Sequence, residues 1–290
     1  MTIFNLGSIN IDKVYRVPHL PGPGETLAAR EVTEGLGGKG ANMSVAAARA
    51  GARVLHIGGV GGDGKWTVDR LTEYGVDSRG IHIGDTPTGH AIIAVEDAGE
   101  NAILLYSGAN QLIDPAHIAD WLDTGTADDT FVTQNETNAQ REGAELASSR
   151  GMRVAYAAAP FDATRVQEIL PLIDLLFLNE VEAQQLTEAT GLSPEALPVK
   201  DVIVTLGAKG CRWIDTDTAE TTEFPALKVT PVDTTGAGDT FTGYVLAGLD
   251  RGMPMAQAIT QATKAAALMV TRLGTADVIP DLREVRDFNP

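Results

Sequence analysis

"EGLGGKGANMSVAAARAG" occupies residues 34–51, and the reading of its glycines decides the fold. Gly35-x-Gly37-x-x-Gly40 has the letter pattern of a dinucleotide-binding turn and runs into an Ala-rich segment closed by Gly51, a suitable helix C-cap. A dinucleotide turn, however, needs a buried parallel strand immediately before its first glycine. The preceding "ETLAAREVTEGL" (25–36) reads as exposed ribbon, which argues against a nicotinamide site. A helix start approached by glycines still presents unpaired N–H groups, and Lys39 and Asn42 add donors. A hydroxyl-rich or anionic ligand suits such a surface.

Working outward, "IFNLGSI" (3–9) reads as a buried strand ending in a Gly-Ser turn. Residues 12–32 alternate charged and apolar residues around a Pro-Gly-Pro-Gly turn, which predicts a small exposed β-ribbon. Downstream, "RVLHIGGVG" predicts a strand, "GKWTVDRLTEYG" a helix, and "TGHAIIAVE" with "NAILLYSGA" a β-hairpin. From 114 the rhythm is regular: helix 115–123, strand "TFVTQN", helix 137–149, strand "RVAYAA", helix 163–170, strand "DLLFLN", helix 180–190 and strand "DVIVTLG". A short hairpin around 210–224 and Ala-rich helices 237–251 and 255–272 follow. Strands alternating with helices predict an α/β fold, with a mostly parallel sheet covered on both faces. The two exposed β segments do not fit that sheet, so they are expected to form a lid from about 12–34 and 88–106 on a single domain spanning 1–290.

Composition narrows the function classes. The net charge of −17 and pI near 4.6 disfavour nucleic acid and anionic membranes as partners. The single Cys211 excludes a disulfide within the chain and a cysteine-built zinc site. No window approaches the ~20 apolar residues of a membrane span, and the N-terminus has no leader pattern, so a cytoplasmic location is expected. Five scattered histidines have neither metal-ligand nor triad spacing, and no Gly-x-Ser-x-Gly elbow is present. Gly59-x-x-x-x-Gly64-Lys65 nearly makes a P-loop, but Trp66 stands where a Mg²⁺-holding hydroxyl is required.

The strongest signal is "VDTTGAGDTFTGYVLAGL" (232–249). Gly236, Ala237 and Gly238 would let an anion approach a helix start closely, where N–H groups and the macrodipole stabilise charge on a phosphoryl group. Asp239 beside them is either a proton acceptor or an ordinary helix cap, and the letters alone leave both open. Asn179, Glu180 and Glu182 close a strand at the sheet edge where ligands bind, as Mg²⁺ holders through water or as first-turn acids. "TLGAKG" (205–210) ends another strand and could line a nucleotide. Asn10, Asp12 and Glu136 follow strands in positions suited to sugar hydroxyls or to simple turns.

Together these segments resemble the ribokinase (PfkB-type) carbohydrate kinases over essentially the whole chain. "LGSINID", "GGKGAN", "SGAN", "TQNET", "NEVE", "TLGAKG" and "DTTGAGDTF" stand in the family's order. The resemblance implies a ribokinase-like three-layer α/β/α fold with a small β-sheet lid. It implies a cytoplasmic enzyme that transfers the ATP γ-phosphoryl to a primary hydroxyl, O5 of D-ribose. Sugar contacts fall to Asn10, Asp12, Gly37, Gly38, Lys39, Asn42 and Glu136, with Asp239 as catalytic base and Gly236, Ala237 and Gly238 as anion hole. The nucleotide falls to Asn179, Thr205, Gly207, Ala208, Lys209, Gly210 and Gly238, and Mg²⁺ to Glu182 through water. A monovalent cation such as K⁺ falls to Asp233, Thr235, Met269, Arg272, Gly274 and Val278. The exposed lid edges suggest a homodimer paired through the lid. The chain departs from the family at "AAAP" (157–160), where Asn-Pro-Ala-Pro is common, at Val278, where Ser is common, and at Asn135, where an apolar residue is common. The alternatives are a kinase of the same family for fructose, a nucleoside or another sugar, a non-catalytic sugar-binding protein, and the NAD oxidoreductase suggested by the first glycines.

Overall fold

Short apolar runs and 3.6-period segments alternate along the chain, and each becomes the element its pattern dictates. The computed structural model describes residues 1–290. The strands are β1 (Thr2–Leu6), β2 (Asn10–Val17), β3 (Glu31–Gly37), β4 (Arg53–Gly61), β5 (Ile81–Gly84), β6 (Gly89–Glu96), β7 (Asn101–Tyr106), β8 (Thr130–Gln134), β9 (Arg153–Ala157), β10 (Leu175–Asn179), β11 (Asp201–Thr205), β12 (Cys211–Asp215) and β13 (Glu220–Phe224). The helices are α1 (Lys39–Arg49), α2 (Lys65–Glu73), α3 (Pro115–Leu122), α4 (Gln140–Ser149), α5 (Ala163–Ile169), α6 (Glu180–Thr190), α7 (Ala237–Asp250), α8 (Met255–Met269) and α9 (Leu282–Asp287).

The main sheet has nine strands in the order β13-β12-β11-β10-β9-β8-β1-β4-β5. It is parallel from β11 to β5, and the β12–β13 hairpin adds antiparallel pairs at one end. Alternate residues of each buried strand serve opposite faces. Ile3, Val132, Phe177 and Ile203 pack with α1, α7 and α8, while Phe4, Phe131, Leu176 and Val202 pack with α3 to α6. The result is three layers, helix on sheet on helix. Strands β8 to β11 extend from one side of β1, and β4 and β5 from the other. The order therefore reverses at the β1/β8 boundary, and the loops leaving these two strands part to open a crevice at the C-terminal edge.

The expected ribbon and hairpin form a second, four-stranded sheet, β3-β2-β6-β7. Its central pair β2 and β6 is parallel and comes from the two separate segments, as expected. Every residue of β7 is exposed.

Some boundaries differ from the sequence expectation. The helix expected from 137 starts at Gln140, because the Asn138 side chain is bonded to both backbone groups of Ile113 and Ala139 takes a left-handed φ of 60°. The helix expected to reach 272 ends at Met269, because the Val270 carbonyl turns to accept from the N–H groups of Val232 and Asp233. Strand β5 and helix α9 were not anticipated; both are short, at four and six residues.

Candidate active site

The crevice at the β1/β8 boundary collects residues from distant parts of the chain. After β1, the Gly7-Ser8 turn leads to Asn10 and Asp12 on β2. After β8 comes Glu136. Its carboxylate accepts from the Ser8 hydroxyl and, at 3.0 Å, from the Lys39 backbone N–H at the start of α1. Gly37 faces the Asp12 carboxylate so closely that a Cβ would lie 2.1 Å from Oδ2. Gly38 is required twice over: its φ is 94°, and a Cβ would meet the Asn10 nitrogen and Ser8 carbonyl at 2.9 Å.

Helix α7 delivers Asp239 from below. Gly243, one turn further along, packs directly on α1, where a Cβ would sit 2.6 Å from the Ala46 Cβ and the Met43 carbonyl. That close crossing brings Asp239, which is 8 % exposed, beside Asn42, whose Nδ2 donates to Oδ2 at 2.9 Å. Gly236 takes the left-handed conformation (φ 74°) that begins α7, and no protein atom lies within 4 Å of a Cβ placed on Gly238. Within the first turn the Ala237 N–H donates to the Thr234 carbonyl at 3.3 Å, whereas the Gly236 and Gly238 N–H groups have no backbone partner. Asp239 does not cap the helix with its own side chain.

The charges are unbalanced. Asp239, Glu136 and Glu182 all act on one ammonium, Lys39, and Glu136 and Asp239 also act on a fourth carboxyl, Asp12. Asp239 holds Lys39 above its ordinary lysine value, aided by Glu136 and Glu182 and opposed by burial. Burial pushes the Asp12 carboxyl up to about 7, reinforced by Glu136 and Asp239. Asp239 is also raised by burial, against the opposing pull of Lys39 and the Asn42 hydrogen bond. Glu182 is raised by burial and lowered by its bond from the Asn179 N–H.

The expected nucleotide residues lie further along the same sheet edge. Asn179 and Glu182 form a reciprocal capping box at the start of α6, with both bonds at 2.8 Å. Thr205 ends β11, and Gly207, Ala208 and Lys209 form an exposed turn after it. Gly210 (φ 107°) passes so close to the chain at 224–226 that a Cβ would meet the Phe224 carbonyl at 1.9 Å. Lys209 reaches Glu180 at 3.3 Å. No hydrogen bond or ion pair joins this loop to Asp239, Lys39 or Glu136.

The candidate metal groups differ in their fit. No cluster of three or more His, Cys, Asp or Glu side chains is placed to hold a metal. Glu182 keeps Oε1 free while Oε2 is bonded to the Asn179 N–H, which suits a Mg²⁺ ion held mainly by phosphate and water. The Asp233 carboxylate accepts from Thr235 N at 2.9 Å and Gly274 N at 3.2 Å, drawing the 233–235 and 272–274 segments together. The carbonyls of Asp233, Thr235, Arg272 and Gly274 accept no backbone hydrogen bond, which suits a weakly hydrated monovalent cation. The Met269 and Val278 carbonyls are already engaged by Arg272, through its N–H at 2.9 Å and Nη1 at 3.1 Å.

Two neighbours of this cluster were not singled out from the sequence. Ser8 bonds Glu136. Asn110 donates to Asn10 Oδ1 at 2.8 Å and pairs with both backbone groups of Ile9. The "SGAN" segment held Asn110, but only as the exit of a hairpin. The unusual Asn135 has a visible role: its Nδ2 donates to the Ala158 and Pro160 carbonyls, at 3.2 and 3.0 Å, and its Oδ1 accepts from Tyr156. It thereby fastens the "AAAP" segment that departs from the family pattern.

The family model for pfkB family carbohydrate kinases matches residues 2–282. A ribokinase of Haemophilus influenzae is 34 % identical, over 99 % of this chain and 98 % of its own. Among solved structures, a ribokinase from Cryptococcus neoformans in complex with ADP superposes with a TM-score of 0.84 at 31 % identity, covering 99 % of this chain and 98 % of its own. An Arabidopsis thaliana ribokinase complexed with ribose and ATP has a TM-score of 0.84 at 25 % identity, with the same two coverages. The chain therefore belongs to the pfkB family of carbohydrate kinases. It is a sugar kinase with the three-layer ribokinase fold.

Proposed function

We propose that this kinase phosphorylates the primary O5 hydroxyl of D-ribose. The observation that carries the reading is the placement of buried Asp239 at the glycine-opened start of α7, beside Asn42 and facing Lys39 and Glu136. Asn10, Asp12 and Glu136 hold the sugar hydroxyls, and Gly37 and Gly38 let the Asp12 side chain and the Ser8–Asn10 backbone close up behind them. The primary hydroxyl then lies against Asp239, whose raised affinity for protons suits a general base. As the hydroxyl attacks, its proton passes to Asp239 and the γ-phosphoryl leaves ADP. The N–H groups of Gly236–Gly238 offset the charge on the transferring group. Lys39 offsets part of the surrounding carboxylate charge.

The nucleotide lies over Thr205 and Gly207–Gly210, with its phosphates reaching from Asn179 towards Gly238. Glu182 would hold Mg²⁺ through water, and the ion would neutralise phosphate charge that the acidic crevice would otherwise repel. K⁺ at the carbonyls of Asp233, Thr235, Arg272 and Gly274 would steady the loop that starts α7. The small sheet acts as a lid that excludes water during transfer. Its exposed Ile103, Leu104, Leu105 and Tyr106 on edge strand β7 support pairing with a second copy.

The test is ADP release with D-ribose, 2-deoxyribose, fructose and a nucleoside, each with and without Mg²⁺ and K⁺. The highest kcat/KM is expected with D-ribose; a higher value with another acceptor overturns the ribose assignment. Sedimentation is expected to show a dimer, and Leu104→Lys to shift it to monomer.

A further inference from the structure

Between the main sheet and α1 lies a row of polar side chains that the phosphoryl-transfer chemistry does not use. Asn5 on β1, His56 on β4, Gln134 on β8 and Ser44 on α1 are each no more than 1 % exposed. The strands are adjacent, and Asn5 and His56 are register partners. These positions lie on the sheet face that elsewhere carries Ile3 and Val132 against α1. Apolar residues would fill them at lower desolvation cost.

The bonds form one continuous chain. Gln134 Nε2 donates to Asn5 Oδ1 at 2.9 Å. Asn5 Nδ2 donates to the Gly40 carbonyl and to Ser44 Oγ, both at 2.8 Å. Ser44 Oγ is 2.8 Å from His56 Nδ1, and His56 Nε2 is 3.0 Å from the Gly7 carbonyl. Their directions are fixed from both ends. The Gly40 and Gly7 carbonyls can only accept, so Asn5 presents Nδ2 and His56 carries its proton on Nε2. Ser44 accepts from Asn5 and must donate to an unprotonated Nδ1. Burial depresses the His56 pKa to about 4, which keeps this neutral form in place at ordinary pH.

Both carbonyl ends of the chain fall on one backbone crossing. A Cβ on Gly7 would meet Gly40 Cα at 2.5 Å, and one on Gly40 would meet Gly7 Cα at 2.4 Å. The crossing joins the turn that carries Ser8 to the start of α1 that carries Lys39. Ala41 N bonds the Ser8 carbonyl across it at 2.9 Å. Gln134 stands two residues before Glu136. We propose that Gln134, Asn5, Ser44 and His56 are positioning residues that set the spacing of the Ser8 turn, the start of α1 and Glu136, and so tune affinity for the acceptor sugar. This role rests on the sugar-site reading above.

The experiment compares wild type, His56→Phe, Ser44→Ala and the double variant by steady-state kinetics with D-ribose and ATP, with thermal melts alongside. His56→Phe removes the donor to the Gly7 carbonyl and the acceptor of the Ser44 hydroxyl proton, and should raise KM for D-ribose about tenfold, with KM for ATP changed less than about twofold. Ser44→Ala, which removes only one oxygen, should raise the D-ribose KM about threefold, and should do so even if His56→Phe fails to fold. The double variant should be no worse than His56→Phe alone, since both break one chain. His56→Gln, which can still donate to Gly7, should recover part of the loss. An unchanged D-ribose KM in Ser44→Ala, or equal rises for D-ribose and ATP, overturns the positioning role while leaving the sugar assignment standing. Wild-type protein that turns over no D-ribose overturns the sugar assignment and this role with it.

Discussion

At the β1/β8 end of the crevice, Asn10, Asn42 and Asp239 are buried and tied to partners a hundred or more residues away, whereas at the β11 end Gly207, Ala208 and Lys209 lie exposed around a single ion pair to Glu180. The first end fixes side chains before any ligand arrives. The second offers a backbone turn and little else. Buried, prealigned polar groups discriminate between hydroxyl arrangements, because a mismatched ligand leaves them unpaired. An open turn contributes area and tolerates change. On the proposed assignment, selectivity for the acceptor would reside where the structure is tightest, and substitutions should have unequal effects at the two ends.

The largest expected effect is Asp239→Asn, which keeps the Asn42 contact but removes the base. It should lower kcat by about 10²–10⁴-fold and change KM for the sugar less than about threefold. Near-normal turnover in steady-state assays would sink the base assignment.

Asp12→Asn comes next, with an expected rise in sugar KM of about 10–100-fold from the loss of charged hydrogen bonds. It also separates binding from stability. The folded carboxyl, near 7, lies above its value of 3.8 in an unfolded chain. Between those values the native state keeps a proton that the unfolded chain has released, so stability falls as pH rises. The Tm advantage of the variant over the parent should thus grow from pH 4 to pH 8; a constant difference would contradict the buried-carboxylate account.

Gly238→Ala should lower kcat by about 10–100-fold by crowding the N–H groups proposed to receive the phosphoryl. Yet the new methyl meets no protein atom and sits in a helical turn, so Tm should rise, consistent with about 0.5–1 kcal/mol from reduced unfolded-state freedom. Lost turnover together with lost stability would show a structural defect instead. The smallest effect belongs to Lys209→Ala at the open end. Its ion pair is exposed, and KM for ATP should change less than about threefold. A change as large as that of Asp12→Asn would erase the contrast between the two ends.

What could be read in the sequence was local. The strand–helix alternation, the start of α1 at "GGKGAN" and the start of α7 at "TTGAGDT" each depend on residues within a few positions, and each stands where its pattern put it. Asn179 and Glu182 show the limit of such reading. Their spacing is that of a capping box, a local structural bond that their reading as ligands and first-turn acids left out. The Ser8–Glu136, Asn10–Asn110 and Ser44–His56 contacts depend on which strands are neighbours, and no short window carries that information. His56 in particular sits in an apolar run, where nothing local marks its partner on a helix twelve residues earlier. Strand β5 and helix α9 are too short for periodicity to register.

The four-stranded sheet is joined to the body at the Asn10 row and at Leu36, whose carbonyl accepts from the Thr275 hydroxyl at 2.9 Å. Asn10 pairs in register with Gly37 on one side and Gly89 on the other. Asn110 braces that row from beneath, so close that a Cβ on Gly89 would lie 2.2 Å from its Nδ2. Strand β2 runs eight residues outward from there, about 23 Å at 3.3 Å per residue. A tilt of about 5° at the root would carry its far tip about 2 Å. The sheet is a lever whose pivot is a proposed ligand contact. If Asn10 holds the acceptor as proposed, a tilt begun there would be largest at the far end of the sheet.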